Sequence, residues 1–321
     1  MLKPPTNPGC TTATLHHSST VVVSATATGT TRQFDAAKYH LNAALQMMIS
    51  SHGVNDLDIA LAYFRLGICF CETSDFDESL ANFRECLDIR TSLLGNLDIE
   101  CATTHESIGI VQQKKECHKD AIHSFERALA IKRSSLEDSD EDFCVLLHFI
   151  GSSLFALERY TDALNYFNDS AERKKSQYGR HDEEYALAVV DQAACYAKCG
   201  DEIRSTQCYN EAIESGGLSG DSWELGVAHK CLADFSYKQS LSDSAFEGYT
   251  EAVSIFEWIA ESGTLPDIKY DDVIECYVPL LDLEDERSGP MSETRATICC
   301  KLANCYHAVG KHQGKITLYP S

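Results

Sequence analysis

Small and bulky apolar residues recur along this chain at helical spacing, and the pattern itself recurs at a longer fixed interval. A small residue, a bulky one four later and a second small one three beyond that appear as Ala37/Leu41/Ala44, Ser79/Phe83/Cys86, Ala121/Phe125/Ala128, Ala163/Phe167/Ser170, Ser205/Tyr209/Ala212 and Ala245/Tyr249/Ala252. Successive copies lie 42 residues apart, with a last step of 40. Twelve residues ahead of each triad, from the second onward, stands another small residue: Gly67, Gly109, Gly151, Ala193 and Ala233. Spacings of three and four gather these side chains on one face of a helix.

A small residue lets two helical backbones approach, and the bulky one fills the space left beside them. Each period therefore reads as two antiparallel helices. The first carries a Leu-Gly or Ile-Gly pair, as at 66–67, 108–109 and 150–151; the second carries the triad. Short turns such as "SDFD" (74–77), "KECHKD" (115–120), "ERYTD" (158–162) and "CGDE" (199–202) join them. One hairpin of this kind cannot bury its apolar faces alone, so neighbours must stack. The expected fold is all-α.

The order of small residue, bulky residue, turn and A-x3-F-x2-A resembles the tetratricopeptide repeat. The period of 42 exceeds the roughly 34 residues usual for that repeat and is similar to the subclass found in kinesin light chains. There the second helix runs on into an I-R/K…L-G segment. "DIRTSLLGNLD" (88–98), "AIKRSSLEDSD" (130–140) and "ERKKSQYGRHD" (172–182) follow that form, with Arg90, Lys132 and Lys174 in one register. Gly95 and Gly179 are placed to end the second helices as C-caps. The resemblance implies a right-handed α-α superhelix, a TPR solenoid of about five complete helix pairs plus partial repeats at both ends.

The boundaries follow the register. Residues 1–33, rich in Thr and Ser, read as a disordered leader; "ATATGTTRQ" is β-branched and interrupted by Gly, a poor helix. The array is expected over 34–263, as a half repeat at 34–50 and repeats at 57–96, 99–138, 141–180, 183–220 and 223–262. Residues 264–321 read as degenerate C-terminal helices with a partial repeat at 292–313, where "KLANCYHAVGK" (301–311) restarts the pattern at Ala303. A chain that begins and stops mid-repeat is expected to be a piece of a longer product or to pair its open ends with another chain.

Composition narrows the function. A net charge of −22 over 321 residues argues against a nucleic-acid backbone or an anionic membrane surface as the main partner. No apolar run approaches the roughly 20 residues of a membrane span. Fifteen cysteines without a CxxC pair, scattered over small and apolar helical positions, read as buried free thiols in a reducing compartment, so a cytoplasmic protein is expected. Cys117, His118 and His123 are the nearest approach to a metal cluster, but adjacent residues diverge by about 100° on a helix. No metal site or cofactor is expected. The sequence holds no P-loop, G-x-S-x-G, H-E-x-x-H or dinucleotide fingerprint. "GGLSG" (216–220) falls where a linker belongs, and the acids at 137–142 lack the EF-hand spacing. The chain is read as non-enzymatic.

A superhelix of helix pairs has a concave surface lined by its first helices. Counting from the small residue, that surface takes Phe64, Arg65 and Ile68 in the first full repeat and Ile110 and Lys114 in the second. It takes His148 and Phe155 in the third, Lys198 in the fourth, and Lys230, Asp234, Tyr237 and Lys238 in the fifth. The resemblance also says what is missing. Chaperone-binding relatives use a Lys and Asn clamp where this chain has Phe64 and Ile68. Kinesin light chains use paired Asn residues where it has Phe64-Arg65, Glu106-Ser107 and His148-Phe149. The expected role is a protein-interaction scaffold or adaptor whose groove takes an extended or helical segment of a protein partner with apolar and basic anchors. The alternative is a regulatory or cargo-binding fragment of a larger enzyme- or motor-associated protein. A competing reading buries Phe64, Ile68 and Phe155 within the fold.

Overall fold

The computed structural model describes residues 27–53, 55–135, 141–262 and 270–308. Among these residues there are thirteen helices and no strand. The order is α1 (Ala27–His52), α2 (Leu57–Glu72), α3 (Phe76–Leu94), α4 (Ile99–Lys114), α5 (His118–Ser135), α6 (Glu141–Ala156) and α7 (Tyr160–Tyr178). Then come α8 (Glu183–Lys198), α9 (Glu202–Ser215), α10 (Trp223–Lys238), α11 (Ser242–Ser262), α12 (Tyr270–Ser288) and α13 (Glu293–Ala308). Each helix packs on the one before and the one after it, which is the arrangement of a helical solenoid.

The small-bulky-small face is the seam of each hairpin. Phe83, Phe125 and Phe167 are buried, each pressed against the glycine of its partner helix. A Cβ placed on Gly67, Gly109 or Gly151 would stand 2.6–2.9 Å from the ring of Phe83, Phe125 or Phe167. Where the first helix carries Ala193 or Ala233 instead, the opposing ring is Tyr209 or Tyr249, also buried. Ser79 and Ser205, at the head of their triads, donate hydrogen bonds of 2.7 and 3.0 Å to the carbonyls of Gly67 and Ala193.

The two kinds of connection differ. From first to second helix the chain turns within three residues, and the middle one has positive φ: Ser74, Glu116, Glu158, Gly200 and Ser240. At Ser74 the N–H groups of Ser74 and Asp75 bond to the carbonyls of Cys71 and Phe70, and the same two bonds recur at Glu116, Glu158, Gly200 and Ser240. This is the Schellman pattern that closes a helix with a left-handed residue. From second to first helix the connections are longer. Gly95 and Gly179, both at positive φ, end α3 and α7, and the side chains of Asp56, Asp98, Asp182 and Ser222 cap the N–H groups of the next helix.

Two sequence expectations change at the ends. Residues 27–33, expected within the leader, are the start of α1. Once 34–52 is anchored on α2, adding residues to an existing helix needs no new nucleus, and weak propensity suffices. The rest of the leader, the acids at 137–140 and residues 309–321 lie outside the described residues. At the C-terminal end, α12 continues unbroken through Pro279. Its Val273, Tyr277 and Leu280 are buried and stand in the triad register relative to Gly289, as Ser79, Phe83 and Cys86 do relative to Gly95. Thus α12 carries a second-helix pattern with larger flanking residues, which hid it from a search for small ones. α13 then follows with a first-helix pattern, but its Ala303 is exposed.

Candidate functional site

The first helices α2, α4, α6, α8 and α10 bring the expected groove residues into successive rungs. Few of them stand free. Phe64 is partly buried: its ring meets Phe83 edge-on at 5.4 Å and lies 4.9 Å beneath the Arg90 guanidinium. Ile68 and Ile110 are partly buried against the core clusters around Phe83 and Phe125. Phe155 is partly buried and packs edge-on against Tyr160 at 5.1 Å. These apolar positions therefore belong in part to the hairpin seams. Arg65, Lys114, Lys198, Tyr237 and Lys238 are exposed.

Three cations of this surface, Lys114, Lys230 and Lys238, are matched by carboxylates on neighbouring helices. Lys114 lies 3.8 Å from Glu72, one rung earlier. His148 Nδ1 lies 3.0 Å from Asp191, one rung later, and Gln113 donates to Ser152 at 2.9 Å. Lys238 reaches Glu202 at 2.5 Å. Lys230 contacts Glu275 at 2.6 Å and Asp272 at 3.6 Å, both on α12. Burial alone would lower the Lys230 pKa, but the Glu275 hydrogen bond and the charges of Glu275, Asp272 and Asp234 outweigh it and raise the value, so the ammonium stays charged. Asp234 accepts a 2.6 Å hydrogen bond from the Tyr249 hydroxyl. That contact ties it to the α10–α11 hairpin.

The shared register of Arg90, Lys132 and Lys174 turns out to be a row of buried cations behind this surface. Arg90 bonds the Glu100 carbonyl and Thr104 hydroxyl, both at 2.8 Å, and the Glu100 carboxylate at 2.6 Å. Lys132 meets Glu106 at 3.1 Å and Lys174 meets Glu184 at 2.8 Å. Sequence reading found the cations but not their partners: Arg90 and Lys174 take an acid ten residues later, whereas Lys132 takes one from the preceding first helix. A pairing search at separations near 42 would have found Glu72 with Lys114 and His148 with Asp191.

Other chemistry is sparse. Among the described residues no three potential ligands converge on a metal position. The fourteen described cysteines form no disulfide with one another, and nine of them are buried. Burial raises the Cys195 and Cys276 thiols to about 12, far from the thiolate a nucleophile needs. No described helix is long and apolar enough to cross a membrane.

Comparison with known proteins agrees with this geometry. A tetratricopeptide-repeat family model matches residues 25–92 and 58–134, so that part of the chain carries tetratricopeptide repeats, and beyond it the helices continue the same stacked-hairpin arrangement through α13. No curated protein sequence matches it. Among solved structures it is similar to the nearly identical TPR-like repeats of a candidate kinesin light chain from Podosopora anserina. That pair shares 10% identity and a TM-score of 0.53, covering 59% of this chain and 90% of that one. BtubC (BKLC) from P. vanneervenii gives 14% identity, a TM-score of 0.52 and coverage of 77% and 92%. Pseudomonas aeruginosa PilF gives 17%, 0.52, and 80% and 96%. At these identities the likeness is one of fold.

Proposed function

We propose that this protein is a cytoplasmic, non-enzymatic adaptor whose concave surface takes an extended or helical peptide segment of a partner protein. The row of first-helix side chains carries this reading. Partly buried Phe64, Ile68, Ile110 and Phe155 occupy its first three rungs, with exposed Arg65 beside them and exposed Lys198 and Tyr237 on the two rungs beyond. The ion pairs formed by Lys114, Lys230 and Lys238, with the contact of His148 on Asp191, preorganise the polar wall. A partner with apolar anchors and basic side chains would seat the anchors between rungs. Its basic groups would compete for Glu72, Asp191 and Glu202, the carboxylates that meet Lys114, His148 and Lys238. A regulatory or cargo-binding role beside a larger enzyme or motor is the second reading, favoured by the 42-residue period alone.

The test uses exposed residues, since Phe64 and Phe155 also hold the fold. A displayed library of random 15-residue peptides is selected against the full chain, and recovered peptides are titrated against Tyr237→Ala and the double variant Arg65→Glu/Lys198→Glu. Loss of at least about tenfold in affinity with an unchanged melting curve supports the groove. Binders indifferent to both variants, or no binders at all, would overturn it.

A further inference from the structure

The two ends of the solenoid are opposite halves of one hairpin. α1 is a second-type helix, yet among the described residues no first helix lies against its seam. Its triad Ala37/Leu41/Ala44 and its Met47 match Ser79/Phe83/Cys86 and Ile89 of α3 in register. In α3, Cys86 is fully buried and Ile89 is 8% exposed, both packed with α2 residues Ile59 and Ala60; in α1, Ala44 is exposed and Met47 is 71% exposed. α13 is a first-type helix with no second helix described beside it. Its Ile298, Leu302 and Cys305 are buried on the α12 side, as Ala62, Leu66 and Cys69 of α2 are. Its Ala296 and Ala303 are exposed, whereas their counterparts Ala60 and Gly67 are buried beneath α3.

We propose that α13 of one copy packs on α1 of a second copy, completing in trans the hairpin that every internal repeat makes in cis. The residue sizes fit. Inside the array an alanine at this position already accepts a bulky residue opposite, as Ala193 does with Tyr209 and Ala233 with Tyr249, so Ala303 has room for Leu41 at the trans seam. Charge also permits the approach. Although the chain carries −22 overall, the charges on 27–53 are Arg32, Asp35 and Lys38, and those on α13 are Glu293, Arg295 and Lys301. The net negative charge that opposes self-association of so acidic a protein is therefore carried elsewhere than on these two helices. The contact is head-to-tail, so it yields rings or open chains of copies rather than a closed twofold dimer.

The experiment is sedimentation velocity on the full chain from about 1 to 100 µM. Wild type should grow beyond its 35.5 kDa monomer with concentration. Met47→Glu and Ala303→Glu, each spoiling one end, should each stay monomeric with an unchanged melting curve. An equimolar mixture of the two retains one intact α13 and one intact α1, and should form dimers and nothing larger. A wild type that is monomeric throughout overturns the proposal and points to residues 1–26 or 309–321 as the cover. Association that survives Ala303→Glu, or a mixture that stays monomeric, overturns it as well. None of these outcomes depends on whether the concave surface binds a peptide.

Discussion

Replacing Gly109 by alanine should change sign according to the residue opposite. On an isolated helix the substitution stabilises by about 1 kcal/mol, because glycine is the poorer helix former. Here the new Cβ would stand 2.6 Å from Cε1, 2.7 Å from Cδ1 and 2.9 Å from Cζ of Phe125. That ring is 0% exposed and stacks on Phe149 at 5.2 Å, so it has nowhere to swing. Overpacking of this kind costs about 1–3 kcal/mol, and the tight seam places it toward the upper end. Gly109→Ala should therefore destabilise by a net of about 1–2 kcal/mol. In a Phe125→Leu background Cε1 and Cζ are gone, and the same substitution should stabilise by up to about 1 kcal/mol. The coupling between the two sites is then about 2–3 kcal/mol. Urea denaturation of the four proteins of the cycle measures it, with hydrogen exchange over α4 and α5 showing that the change is local. A Gly109→Ala protein at least as stable as wild type, or an equal shift in both backgrounds, would refute the close approach of the two helices.

Arg90→Lys should cost about 1.5–3 kcal/mol by chemical denaturation, since one ammonium cannot reach the Glu100 carbonyl, Thr104 hydroxyl and Glu100 carboxylate that the guanidinium holds together. Glu116→Gly should raise stability by up to about 1 kcal/mol, because it relieves an L-residue held at φ 60. Gly200→Ala, at the equivalent corner, should lower it by a similar amount. His105 supplies a pH test: burial, then the charges of Arg127 and His123, push its imidazole below the ordinary 6.5. The unfolded chain takes up a proton there that the folded chain refuses, so stability is full above about 6.5 and falls as pH drops below it. The Tm loss between about pH 7.5 and 5.5 should be smaller in His105→Leu than in wild type. Leucine suits the site, because buried Leu147 and Val189 occupy this register in the next two repeats.

The helical array was legible because its signal is local and repeated. Gly67, Gly109 and Gly151 each announce a ring at a fixed distance along the chain, and the structure places that ring on the glycine. The ends were less legible for a physical reason. The extension of α1 to Ala27 depends on a helix already formed downstream. α12 satisfies the seam with Val273, Tyr277 and Leu280, a combination that a search for small residues passes over. The proposed groove was readable as a row of first-helix positions but not as an environment. Nothing in the residue types at 64 and 155 says that Phe64 is roofed by Arg90 or that Phe155 leans on Tyr160. Those contacts depend on how neighbouring hairpins rotate against one another.

The corners at Ser74, Glu116, Glu158, Gly200 and Ser240 have a mechanical consequence. Each is three residues long and tied by two backbone hydrogen bonds, so two antiparallel helices are clamped at one end into a stiff block. The longer joints, such as 95–98, 179–182 and 216–222, carry a glycine and a capping side chain instead. Under tension applied at its ends, the molecule should yield block from block at these joints before any single block opens. It would lengthen in steps of one period, as a chain of hinged rods does.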